Sequence, residues 1–171
     1  MSRYFFIGIL TLLIYLPILI FIVRKDFRGR FSNVVSKKIS DILREVFIGI
    51  LYFLIIFFSF FEEIHLGFLA FVGILFYSLG IVFTYYGYYL FFKEKGLIKK
   101  KVFSISRNPT YFFGYVAVFG VILVTRSLLI LVLHILLIFL TDKTIKNEEK
   151  YLMRVYKKEY REYAKKVRRY L

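Results

Sequence analysis

Residues 67–93 read GFLAFVGILFYSLGIVFTYYGYYLFFK, and no charged side chain interrupts them before Lys93. At about 1.5 Å of rise per residue this run exceeds the ~30 Å of hydrocarbon in a bilayer, so it predicts a membrane-spanning helix. Gly67, Gly73, Gly80 and Gly87 recur along it, the last three seven residues apart. That spacing puts them on one face, where the absence of side chains lets another helix approach closely. The tyrosines near its basic end, Tyr85, Tyr86, Tyr88 and Tyr89, read as an aromatic belt at the membrane–water interface.

Similar runs lie on both sides. Tyr4 to Val23 is nearly uncharged, contains Pro17 and is stopped by Arg24 and Lys25. It lacks a small-residue cleavage site and reads as a retained span kinked at the proline. Val46 to Phe61 is separated from the quoted run only by EEIHL, which predicts a tight helical hairpin. Downstream, Tyr111 to Thr125 and Ser127 to Thr141 are two shorter arms turning at Arg126. Each arm spans only about 22 Å, so this last pair is a short hairpin that must thin the bilayer or pack against longer helices.

Charge follows the same division. Of the 26 Lys and Arg residues, seven lie in 24–45, none in 62–66, six in 93–110, one at 126 and eleven from 143 onward. The alternation predicts five segments with the N-terminus outside and the C-terminus cytoplasmic, as in an inner cell membrane. A chain that is 60% hydrophobic with a net charge of +15 directs its basic surface to anionic lipid rather than to nucleic acid. The absence of cysteine excludes disulfides and thiolate chemistry, and two distant histidines, His65 and His134, predict no metal site. His134 reads as a polar group facing the bundle, and His65 as part of a solvated outer turn.

From Lys143 the character changes. Ile145, Glu149, Leu152, Tyr156, Tyr160, Tyr163, Val167 and Tyr170 recur every three or four residues among lysines and arginines. This predicts a basic amphipathic helix lying on the cytoplasmic face. The fold class is therefore an all-α integral membrane protein, five apolar segments and an amphipathic tail, forming a single domain over 1–171. Glu148 and Glu149 begin the tail next to the membrane, where a carboxylate must be paired or must coordinate something. The short hairpin returns them to Arg107 and Asn108 in the loop SISRNPTYFFGY, 104–115. On residue types alone, this is either an Arg107–Glu149 ion pair stapling the hairpin to the tail or a ligand site.

SRNPTYFFG followed by NEEKYLMRVYKKEYREYAKKVRRY resembles the isoprenylcysteine carboxyl methyltransferase and phospholipid methyltransferase family of membrane enzymes. One motif is met by Arg107, Asn108, Pro109, Tyr111 and Gly114, the other by Glu148, Glu149, Leu152, Tyr156, Tyr160, Tyr163 and Arg169. Lys95 stands where many members have histidine, and Lys101 and Lys157 where glycine is common. The resemblance covers about 93–171 and implies an S-adenosylmethionine-dependent methyltransferase, with 1–92 as three spans and 93–171 as the cofactor-binding part. It implies cofactor contacts at Arg107, Asn108, Pro109, Tyr111, Gly114, Glu148 and Glu149, with Arg107 and Glu149 catalytic.

The residue types suit that cofactor: carboxylates for its ammonium or hydroxyls, Arg107 with Asn108 for its carboxylate, and Tyr111 for its sulfonium. No glycine-rich strand-to-helix loop of the Rossmann kind occurs. The implied acceptor is lipophilic, most like the carboxylate of a prenylated cysteine. An aminophospholipid is the alternative, for which Glu149 would be the proton acceptor. A non-enzymatic scaffold retaining the fold is the competing class.

Overall fold

The computed structural model describes residues 8–16, 39–94 and 96–171. Helix α1 is 8–16, α2 Ile39–Ser59, α3 Phe68–Lys93, α4 Pro109–Thr125 and α5 Leu128–Lys166, with a 3-10 turn at Lys101–Ser104 before α4. The kink expected at Pro17, the cations Arg24 and Lys25, and Lys95 lie outside the described residues. α2, α3 and α5 are long and apolar enough to cross a membrane, while α4 is shorter. Large apolar side chains such as Phe53, Phe71, Val82 and Phe139 point outward, as they do where the solvent is lipid.

The glycine face of α3 packs on α4. A Cβ placed at Gly73 would lie 2.7 Å from the Gly120 carbonyl, and one at Gly80 would lie 2.5 Å from the Ala117 amide nitrogen. Gly87 meets Thr110 at the start of α4. The two helices are therefore antiparallel and nearly backbone to backbone, the arrangement that drives association without a hydrophobic effect. α2 lies along α5 instead, tied where Arg44 donates to Thr144 and Thr144 donates to Glu45. The hairpin expected of the second and third runs is thus a connection without a close pairing: each run found a better partner farther along the chain.

Two tyrosines of α3 hold α1. Tyr77 donates to the Leu10 carbonyl and Tyr85 to the Leu13 carbonyl. Residue 17 is proline, which has no N–H to donate to any carbonyl, and Tyr85 gives Leu13 a donor from another helix. Tyr85 therefore does more than line an interface.

α4 and α5 form the expected short hairpin. Arg126 ends α4 in the left-handed conformation, φ 55°, and the Ser127 hydroxyl caps α5 at the Ile130 amide. The amphipathic tail, however, is not a separate helix beginning at Lys143. No glycine or proline interrupts 128–166, so α5 runs on from the apolar arm 128–141 and breaks only at Lys157. Its tyrosine stripe is covered by protein rather than by lipid: Tyr160 and Tyr163 are buried, and Tyr163 donates to the Phe103 carbonyl.

The backbone turns where glycine would be easiest. Lys101 has φ 59°, and Lys157 has φ 42° with ψ −112°. The turn at 101 forms although no glycine supplies it. Lys157→Gly is expected to stabilise the protein by about 1 kcal/mol, because a Cβ is disfavoured in that conformation. Thermal unfolding in detergent checks this, with a rise of roughly 2–4 °C.

Candidate functional site

The loop 104–108 is anchored on backbone carbonyls of the chain that follows α5. The Ser106 hydroxyl, fully buried, accepts from the Asn108 amide at 3.1 Å and donates to the Arg169 carbonyl at 2.9 Å. The Arg107 amide donates to the Arg168 carbonyl at 3.0 Å. The chain after α5 thus returns as a strap beside the loop. Pro109 follows as the first residue of α4, where its missing N–H has no consequence, and it packs near Gly87.

Asn108 occupies the position that caps α4, yet its side chain makes no capping bond. Its amide donates instead to Glu149 Oε1 at 3.0 Å. Arg107 approaches the same oxygen at 3.4 Å, and Arg169 donates to Oε2 through Nε at 3.1 Å and through its terminal nitrogen at 2.8 Å. One buried carboxylate therefore gathers two guanidiniums and an amide at the membrane-proximal end of the tail. Such charge-assisted bonds are strong and orienting. Arg107 Nε is buried and lacks a hydrogen-bond partner among the described residues.

Glu148 is separated from this cluster and accepts from the Tyr111 hydroxyl at 3.1 Å. It lies beyond the apolar arm. Loss of hydration lifts its carboxyl to about 8, the Tyr111 bond opposes the rise, and the charges of Glu45 and Glu149 add to it. A carboxyl raised in this way keeps a proton in the folded state that the unfolded chain has released. The stability it lends is present below about 4.5 and is lost as pH climbs to about 8. Glu148→Gln is accordingly expected to flatten the stability profile between those values and to raise the melting temperature above pH 8, as followed by thermal scans.

Tyr111 also borders a small cavity within the bundle, about 30 Å³, with Tyr15, Tyr52, Thr84, Tyr88, Tyr115 and Gly114. Its wall is mainly carbon, and the Tyr15 and Thr84 hydroxyls are buried without partners among the described residues. A Cβ at Gly114 would find no atom nearer than Thr84 Oγ1 at 4.0 Å. Gly114 leaves space, whereas Gly80 closes a seam. His134 is buried edge-on to Tyr115, facing the bundle as expected.

Of the residues singled out in the sequence, Arg107, Asn108 and Glu149 come together, Tyr111 joins Glu148, Gly114 lies deeper at the cavity, and Pro109 starts the helix. Arg169 makes the shortest contact to Glu149. Its place at the end of the second motif was the only sequence signal for that contact. Tyr15, Tyr52 and Thr84 carried none, since an aromatic or a threonine in an apolar run has no distinguishing pattern; Tyr88 was read only as part of the belt.

No curated protein and no solved structure matches the chain. Residues 66–159 match the phospholipid methyltransferase family, a span that runs from the start of α3 past the Glu148–Glu149 pair. That is more than half of the chain, and it includes the glycine seam, the loop and both carboxylates. With membrane-length helices around a carboxylate cluster that closes on an Arg-Asn-Pro loop, this integral membrane protein belongs to the phospholipid methyltransferase family, methyltransferases that act on lipid.

Proposed function

We propose that the protein transfers a methyl group from S-adenosylmethionine to a lipophilic acceptor in the bilayer, with the site and the C-terminus on the cytoplasmic side. The observation that carries this reading is the convergence of Arg107, Asn108 and Arg169 on Glu149, one turn of α4 from a tyrosine-walled cavity. The cofactor bears a carboxylate, an ammonium and ribose hydroxyls. The Nε of Arg107 suits the first, and the Glu149 carboxylate, on exchanging one of its present donors for the ligand, suits either of the other two. When bound, the cofactor supplies an electrophilic methyl on a sulfonium.

The remaining work belongs to the chain. Carbon-walled surroundings at Tyr52, Tyr88, Tyr111 and Tyr115 exclude water from the transfer and offer electron-rich faces to a cation. Gly114 keeps the room a methyl needs. Glu149 is already engaged by three donors, so Glu148, bonded to Tyr111 and with its carboxyl raised to about 8, is the group that in its ionised form can take a proton from an amine acceptor. A carboxylate acceptor, as on a prenylated cysteine, needs no such base.

The test is binding of labelled S-adenosylmethionine to the detergent-purified chain, followed by transfer of label into extracted lipid. Micromolar binding, lost in Arg107→Ala, is expected. Gly114→Ala is expected to keep its melting temperature within ~2 °C, because its Cβ meets no atom nearer than 4.0 Å, while transfer falls at least about tenfold. Alkali-labile label identifies an ester and stable label an amine. Absence of binding in the folded wild-type chain sinks the enzyme reading and leaves a scaffold.

A further inference from the structure

The tail's positive charge is not spread evenly over its partners. Its acids are taken up elsewhere: Asp142 by Lys146 and Tyr170, Glu148 by Tyr111, Glu149 by Arg169, Glu159 by Lys99 and Glu162 by Lys158. Lys150, Arg154, Lys157 and Arg161 have no acidic partner among the described residues, and all four border one shallow, open groove beside Met153. Lys150, Arg154 and Lys157, four and three residues apart, share one face of α5, and Arg161 joins them from beyond Lys157. The helix breaks in the middle of that face, at Lys157, with a backbone conformation that a side chain disfavours.

We infer that this groove is a cradle for the headgroups of anionic membrane lipids. Depth supports a lipid over a soluble anion. Glu149 marks the level at which α5 meets the loop before α4, and Lys150 and Arg154 follow it within about a turn and a half, in the headgroup layer. Met153, exposed on the groove floor, suits acyl and glycerol carbon better than water. A phosphate on a lipid can therefore meet several cations at once, and α5 is braced where its tyrosine stripe closes the site. Eleven cations lie in the tail, but these four are the ones left without anions on a common surface.

The experiment is a thermal melt of the full chain in detergent with added phosphatidylglycerol, phosphatidylcholine or inorganic phosphate. Phosphatidylglycerol is expected to raise the melting temperature by about 3–5 °C, and the other two by less than about 1 °C. Combined Lys150→Gln, Arg154→Gln and Arg161→Gln should remove most of that shift. A control with the same change of charge, Lys100→Gln with Lys165→Gln and Lys166→Gln, should keep it. Arg154→Gln alone, which leaves most of the charge in place, should lose about a third of the shift and covers the case in which the triple variant does not fold. A shift retained by the cradle variant, an equal loss in the control, or an equal shift with inorganic phosphate would each overturn the cradle. None of these outcomes depends on methyl transfer.

Discussion

Glu149→Gln is expected to remove cofactor binding and to destabilise the folded protein by about 3 kcal/mol, the scale of breaking a buried ion pair from one side. The carboxylate is 7% exposed and accepts from Asn108 and Arg169 while facing Arg107 at 3.4 Å. An amide there would keep the shape but leave two guanidiniums without their anion, and its own N–H₂ would point at donors. The one oxygen left can accept from Asn108 or from Arg169, but not from both. Arg169→Ala should cost less, because Arg107 and Asn108 still hold Glu149 and Arg169 is partly exposed. Thermal unfolding and labelled-cofactor binding, measured on both variants, separate the two roles. Equal losses would mean that the strap, and not the carboxylate, organises the site.

Gly80→Leu is expected to leave little folded protein in the membrane. The first atom of the new side chain would fall 2.5 Å from the Ala117 nitrogen and 2.7 Å from the Phe113 carbonyl. Both are backbone atoms, so no rotamer change relieves the clash and α3 and α4 must separate. Overpacking against side chains costs about 1–3 kcal/mol, and against backbone the cost is at the top of that range or above it. The effect should be graded. Gly120→Ala, 2.5 Å from the Gly73 carbonyl and the Tyr77 nitrogen, should be nearly as damaging as Gly80→Ala. Gly87→Ala meets only a threonine methyl that can move, and Gly49→Ala meets nothing within 4 Å. Yield of folded protein in detergent orders these variants, and an equal tolerance of Gly80→Leu and Gly49→Ala would disprove the seam. Because α4 carries Tyr111 and Gly114 and begins just after Asn108, the seam also sets where the site lies.

Much of this was legible in the chain by itself. Uninterrupted apolar runs have to cross lipid, because their backbone polar groups can be satisfied there only within helices. Glycines seven apart share a face whatever lies opposite, so Gly73, Gly80 and Gly87 announced a seam before their partner was known. The two motifs on either side of a short hairpin also had to meet, since an antiparallel pair returns the chain to its starting level. Arg107, Asn108 and Glu149 did so.

What tertiary structure decided is of a different kind. That α3 pairs with α4 and α2 with α5 depends on which faces fit, and every apolar run here offers several. The strap 167–171 meets 104–108 through its own carbonyls at 168 and 169, which have no residue signature, so Arg169 could be read as a motif position but not as the nearest partner of Glu149. The cavity draws Tyr15, Tyr52, Tyr88 and Tyr111 from four helices, and no periodicity within one helix records such a meeting. The division of labour between two adjacent carboxylates is likewise spatial. Glu148 and Glu149 sit side by side in the chain, but consecutive helical residues point about 100° apart, and that angle sends one to a tyrosine and the other to two arginines.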